Sequence, residues 1–197
     1  MEKPQSRYGG AYWEERSDLI YYRVVEYLVR CVGAKATSII DVGTGKCPYL
    51  EWFHWIEKKT SIDIIAPYAS ETVEAIYGNI LTTELPQKFD LCLCLQVLEH
   101  VQDPAPFARR LTELGKRVIV SVPYNWPPGQ TPGHVQDPVD LDLLSQWFGR
   151  RPNYHIIVQE PLRTKKHERL IAIYDADPKR RFGGTEIQSR IMPLAKA

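Results

Sequence analysis

The chain has 197 residues, enough for one domain with a full core. Hydrophobic residues make up 44% and charged residues 25%, as in an ordinary globular protein, and no repeat or low-complexity segment interrupts them. A net charge of +1 argues against general attraction to nucleic acid or to a membrane, and no apolar run approaches the length of a membrane span. The polar start Met1-Glu2-Lys3-Pro4-Gln5-Ser6-Arg7 lacks the apolar stretch of a signal peptide, so a cytoplasmic location is expected.

Apolar residues at three- and four-residue steps (Leu19, Tyr22, Val25, Val29, Val32) predict a helix from about Ala11 to Val32, stopped by Gly33. The aromatic stretch Tyr8 to Trp13 precedes it. Thr37 to Val42 reads as a short buried strand, Gly43-Thr44-Gly45 as a turn, and Tyr49 to Ile56 as a helix. A second strand is expected at Thr60 to Ile65, a short helix at Ser70 to Ala75 and a weak third strand near Ile76-Tyr77. Phe89 to Leu95 is a strongly apolar fourth strand. Cys92 and Cys94, two apart on it, share a face as buried thiols. No CxxC pair suggests a zinc site.

Pro104 to Leu114 follows as a helix with proline in its first turn, then Arg117 to Val122 as a fifth strand. Pro123 to Pro138 is too long to be a plain connector. Leu141 to Phe148 reads as a helix closed by Gly149. Tyr154 to Val158 and Arg169 to Tyr174 read as a final hairpin around the basic stretch Arg163, Lys165, Lys166 and His167. Strands alternating with helices imply an α/β fold: a Rossmann-like three-layer sandwich, its sheet mostly parallel with a C-terminal antiparallel strand. One domain is expected over 1–197, with an N-terminal helical lid (1–33), a core (37–174) and a polar tail (175–197).

Glycines after the first strand let backbone pass close to a ligand, and Asp63 stands about twenty residues on, where a ribose-binding acid belongs. A dinucleotide fingerprint needs a third glycine near position 48; Pro48 is there, which disfavours NAD. Taken singly, these residues also suit a tight turn and a loop acid; order and spacing favour a cofactor.

Asp41-Val42-Gly43-Thr44-Gly45 resembles the first motif of the class I S-adenosylmethionine (SAM)-dependent methyltransferases. Asp63 is similar to their ribose-binding acid, and Tyr77-Gly78-Asn79-Ile80 to the segment beside the adenine, with Asn79 where the family usually has Asp. Phe89-Asp90-Leu91 through Leu98-Glu99-His100-Val101-Gln102-Asp103-Pro104 resembles the family's fourth strand and following loop, and Val118 to Pro123 its next motif. The resemblance runs from about Tyr8 to Tyr174. It implies SAM as cofactor and S-adenosylhomocysteine as product. Asp41, Gly43, Thr44, Gly45, Asp63, Ile64, Asn79, Ile80, Gln96 and Tyr12 are the expected cofactor residues.

If the chain turns helical after Leu95, Gln96, Glu99 and His100 share one face, and His134 from the proline loop can fold over them. This pattern looks like that of small-RNA 2′-O-methyltransferases, where two Glu and two His hold a divalent ion. Gln96 here removes one charge, so a metal at Glu99, His100 and His134 is not favoured. The metal-free reading makes His100 or His134 the general base, with Glu99 beside it. Tyr124, Asn125 and Trp126 offer a wall for a sugar ring or aromatic metabolite, and Gly133 to Pro138 a lid. The expected activity is methyl transfer to a small-molecule acceptor, at a hydroxyl of a sugar or secondary metabolite. Metal-assisted RNA 2′-O-methylation and non-catalytic SAM or nucleotide binding are the alternatives.

Overall fold

The computed structural model describes residues 13–85, 88–161 and 167–189. Strand β1 (Ser38–Val42) is buried along its whole length and lies between β2 (Lys58–Asp63) and β4 (Phe89–Leu95). β3 (Val73–Tyr77) flanks β2, and β5 (Gly115–Pro123) flanks β4, all parallel. β7 (Glu168–Asp175) pairs antiparallel with both β5 and β6 (Tyr154–Gln159), so the order is β3-β2-β1-β4-β5-β7-β6. The expected mostly parallel sheet with one antiparallel strand is the observed one. The order in which strands are added reverses between β1 and β4, and this switch point opens a crevice beyond their carboxyl ends.

Apolar residues alternate between two cores because the central strands are covered on both faces. Ile39, Leu91, Leu93 and Ile119 face helix α1 (Ile20–Gly33). Ile40, Cys92, Cys94, Val118 and Val120 face α2 (Pro104–Leu114) and α3 (Leu141–Trp147). The four cysteines are free and buried. A short helix α4 (Gly184–Ser189) lies in the segment read as a polar tail. No helix among the described residues is long and apolar enough to cross a membrane.

Three expected helices differ from those observed. α1 begins at Ile20, after the N-cap residue Leu19, whose side chain makes no capping hydrogen bond. Instead the Glu160 carboxylate accepts from the N–H groups of Ile20 (2.9 Å) and Tyr21 (3.2 Å), a cap supplied from 140 residues away. The apolar stripe Tyr49, Leu50, Phe53 and Ile56 is buried as expected. Only Pro48–Trp52 is helical, as a 3₁₀ turn, since the chain must reach β2 by Lys58. Ser70 to Ala75 is not a helix. The Ser70 hydroxyl accepts from the N–H groups of Thr72 and Val73 (both 3.1 Å), and pairing with β2 carries the chain into β3 at Val73.

Candidate functional site

β1 stops where Gly43 takes φ +84°, followed by Gly45 at +57° and Lys46 at +63°. Left-handed backbone at Gly43 admits glycine readily, and a Cβ there would collide with the Val97 side chain. The Gly43 N–H extends the ladder by donating to Ile62 C=O (2.8 Å). Gly45 N–H donates to Asp63 Oδ2 (3.1 Å), while Asp63 Oδ1 accepts from Ile65 (2.7 Å) and Ala66 (2.9 Å). Asp63 therefore braces two loops besides facing the crevice. The Thr44 hydroxyl donates to Asp41 C=O (3.3 Å).

Asp41 lies beneath the loop, fully buried. Its Oδ2 accepts from the Tyr49 hydroxyl (2.6 Å), and its Oδ1 has no partner. Burial pushes its pKa up to about 7, against the lowering effect of the Tyr49 hydrogen bond. Asn79 turns its side-chain oxygen to Leu81 N–H (3.0 Å), beside buried Ile80 and exposed Ile64, Ile65 and Leu81. Gln96 takes φ +58°, and its amide donates to Ser121 Oγ (3.1 Å).

These loops enclose a cavity of about 430 Å³, within the range of small-molecule sites. Gly43, Thr44, Gly45, Asp63, Ile64, Asn79, Ile80, Gln96 and His100 all line it. Asp41 stands behind it, and Tyr12 lies outside the described residues. Tyr22 and Tyr49 also line the cavity. In the sequence the two read only as residues of apolar-striped helices, because at helical spacing an aromatic ring carries no mark of a pocket. Trp13 packs behind them, edge-on to Tyr22 at 5.1 Å between ring centres.

The helical face expected to unite Gln96, Glu99 and His100 does not form. The positive φ of Gln96 breaks the run, and only Leu98–His100 coils, as one 3₁₀ turn. Gln96 is drawn to β5. Glu99, His100 and His134 nevertheless meet, with one ligand-type atom from each within 4.8 Å of the others. The loop from 124 to 138 is fastened over them: Val135 N–H donates to Glu99 C=O (2.8 Å) and the Gln136 amide to Val101 C=O (2.8 Å).

His100 Nδ1 lies 2.8 Å from Gly133 C=O and donates to it, since a carbonyl only accepts, which makes Nε2 the acceptor nitrogen of the neutral ring. His134 Nδ1 is 2.7 Å from Asp137 Oδ2, both side chains nearly buried. The two imidazoles meet edge to face at 4.7 Å, and Trp126 stacks on His134 at 5.9 Å. Burial, helped by His134, pulls the His100 pKa down. Glu99 is 1% exposed and neither of its carboxylate oxygens has a partner. Burial, with nearby Asp137, pushes its pKa up to about 8, and Arg169 opposes this.

Of the expected substrate wall, Trp126 roofs the histidine cluster and donates to Glu168 C=O (3.0 Å), while Tyr124 packs against the core. Of the expected basic stretch, Arg163, Lys165 and Lys166 lie outside the described residues, as does Tyr8. The arrangement offers a glycine-lined crevice for an adenosine-like ligand and, next to it, imidazole nitrogens and a carboxylate that can take a proton or hold a cation.

No family model matches the chain. It is 29% identical over 98 residues to the ubiquinone biosynthesis O-methyltransferase of Pseudomonas fluorescens, covering 48% of this chain and 38% of that one. The chain spans less than half the length of the curated relatives it matches. In fold it is similar to the N-methyltransferase NodS of Bradyrhizobium japonicum in complex with S-adenosylhomocysteine. There the TM-score is 0.61 and identity 13%, over 84% of this chain and 92% of that one. It is also similar to the 1,6-didemethyltoxoflavin-N1-methyltransferase of Burkholderia thailandensis with bound S-adenosylhomocysteine. That match has TM-score 0.59 and 16% identity, over 83% of each chain. Sequence relatives and fold neighbours agree on one point: this chain has the Rossmann-like class I fold of the SAM-dependent methyltransferases.

Proposed function

We propose that this chain is a SAM-dependent methyltransferase acting on a hydroxyl of a small molecule, a sugar or a secondary metabolite. One observation carries the reading: the 430 Å³ cavity over the glycine loop, Asp63 and Ile80 shares His100 with the Glu99–His134 cluster. A cofactor site thus abuts a proton-accepting site. The cavity suits the adenosine portion of SAM, whose flat base matches the apolar surface of Ile64, Ile80 and Leu81. Gln96, Tyr22 and Tyr49 line the part nearest β4 and α1. The cofactor, when bound, supplies an electrophilic methyl on a sulfonium.

The chain's own residues then align and deprotonate the acceptor. Asp137 fixes the tautomer of His134, with the proton on Nδ1 and Nε2 free as base. The attacking hydroxyl loses its proton to Nε2, and Glu99 and His100 line the same spot. The Trp126 roof and the fastened 124–138 loop limit water. A single domain with an N-terminal helical segment and a C-terminal tail suits such an enzyme.

A second reading rests on the converging ligand atoms. Glu99, His100 and His134 have the mixed oxygen and imidazole character that suits zinc, manganese or iron. Asp137 and Gly133 C=O orient the two rings from behind, as carboxylates and carbonyls do at metal sites. This supports metal-assisted methyl transfer, the chemistry expected for the RNA 2′-hydroxyl alternative.

Calorimetric titration with SAM and S-adenosylhomocysteine, with NAD as control, tests the first reading. Micromolar binding of the two sulfur ligands and none of NAD is expected; no binding by folded protein overturns it. Methyl transfer to sugar and phenol acceptors with and without chelator separates the two readings. Loss of activity in chelator, restored by Mn²⁺ or Zn²⁺, favours the second.

A further inference from the structure

Nine buried side-chain atoms among the described residues have no hydrogen-bond partner, and five of them lie in one place. They are both carboxylate oxygens of Glu99, Oδ1 of Asp137, and Nε and Nη1 of Arg169. Buried polar groups are nearly always paired, so such a concentration calls for a partner from outside the chain. The three residues are linked through His134 and Trp126: Asp137 lies 2.7 Å from His134, a carboxylate oxygen of Glu99 is within 4.8 Å of a His134 ring nitrogen, and Trp126 stacks on His134 with the Arg169 guanidinium 5.6 Å from its ring centre.

Arg169 is the unusual member. It is the second residue of β7, opposite Pro123 at the carboxyl end of β5, the end of the sheet that carries the glycine loop. It is 8% exposed, its guanidinium lying 4.5 Å from the Tyr21 ring centre and 5.6 Å from that of Trp126. Its ion pair is a long one, 3.6 Å to Glu160, whose carboxylate already caps α1. A buried guanidinium is costly unless its hydrogen bonds are made. Its planar donors match a carboxylate or phosphate. The orphaned oxygens of Glu99 and Asp137, beside His134, match a hydroxyl.

We infer that the acceptor is a hydroxylated anion, a hydroxy acid, sugar acid or sugar phosphate, with its anionic group on Arg169 and the hydroxyl to be methylated on the Glu99–His134 side. The inference rests on the methyltransferase reading and adds to it the charge of the acceptor. Arg169 is a specificity residue in this scheme, with Tyr21 and Trp126 holding its plane. Transfer breaks the S–CH₃ bond and forms an O–CH₃ bond, and the hydroxyl proton passes to His134.

The test uses the full chain labelled with ¹⁵N-arginine and saturated with S-adenosylhomocysteine. The Arg169 Nε–H signal is assigned from its absence in Arg169→Met. D-glucuronate, D-glucose 6-phosphate and neutral D-glucose are titrated in turn. A saturable shift with either anion and none with glucose is expected, and which anion acts tells carboxylate from phosphate. In Arg169→Met the anion binds about 10–100-fold more weakly, the range for losing a charged hydrogen bond, while S-adenosylhomocysteine affinity holds. Should that variant not fold, Arg169→Lys keeps the charge and loses the planar fork, and about tenfold weaker binding is expected. An unmoved signal with both anions, or unchanged anion affinity in the variant, overturns the inference. Failure of the methyltransferase reading shows separately, as absent S-adenosylhomocysteine binding. The Arg169 signal of the free protein then decides the anion site by the same criteria.

Discussion

Around the ends of β1, β2 and β3, polar side chains answer to backbone N–H groups. Asp63 accepts from Gly45, Ile65 and Ala66, and Asn79 from Leu81. Around the carboxyl ends of β4 and β5 and the start of β7, they answer to one another, to backbone carbonyls or to nothing. His134 donates to Asp137, while Glu99 and Arg169 have orphaned atoms. The first region is held in shape by its own loops and presents backbone and apolar surface to a ligand. The second keeps hydrogen-bonding capacity in reserve, the arrangement expected where a substrate must be oriented and deprotonated. Under the proposed function, stability and chemistry are divided between the two halves of one crevice.

The sharpest way to break this division is His134→Ala. If the reserve serves chemistry, methyl transfer falls by about 10²–10⁴-fold, the usual share of a general base, while S-adenosylhomocysteine affinity is unchanged by calorimetry. Equal loss of cofactor affinity would merge the two regions.

Asp41 is the exception on the cofactor side, buried with one oxygen unpaired. Its folded pKa of about 7 stands above the 3.8 of an ordinary aspartate, so the folded state keeps the proton longer. Stability from this carboxyl is full below about pH 4 and declines as pH rises to about 7. Asp41→Asn removes that decline. The stability of the variant relative to wild type is expected to grow by up to about 4 kcal/mol between pH 4 and pH 8, read from denaturant melts at each pH. A constant difference would mean that Asp41 ionises normally.

Gly43→Ala sets a Cβ against Val97 in left-handed backbone, and a loss of about 2–5 kcal/mol is expected, with weakened SAM binding. The smallest effect is the most direct comparison. Asp63→Ala strands three N–H groups and should lower stability by about 1–3 kcal/mol. Glu99→Gln strands none and should not lower the melting temperature, although it reduces turnover. Reversal of that order would show that the acceptor side, not the cofactor side, supports the fold.

Local signals were legible in the sequence wherever the determinant was local. The apolar runs of β1 and β4, the proline start of α2 and the glycine turn after β1 each depend on neighbours a few residues apart, and each stands where expected. The residues expected to hold the cofactor, Tyr12 apart, stand within three residues of a strand end, and a parallel sheet brings such ends together around one cavity. Misjudged elements depended on distant partners. Glu160 decides where α1 starts, and β2 makes a strand of Val73 to Tyr77. Meeting of Glu99 with His134 was anticipated from residue type, but through a helical face that Gln96 does not permit.

Composition, period and spacing by themselves determined the α/β class, the strand order's parallel character and the glycine–Asp63 crevice, because these follow from backbone geometry and the burial of apolar runs. Only the tertiary structure decided that Asp137 orients His134, that Trp126 roofs the cluster and that Arg169 is buried beside it. Those residues lie on separate segments, and side chains far apart in the chain acquire a common chemistry only when packing excludes water between them and leaves their polar atoms no other partner.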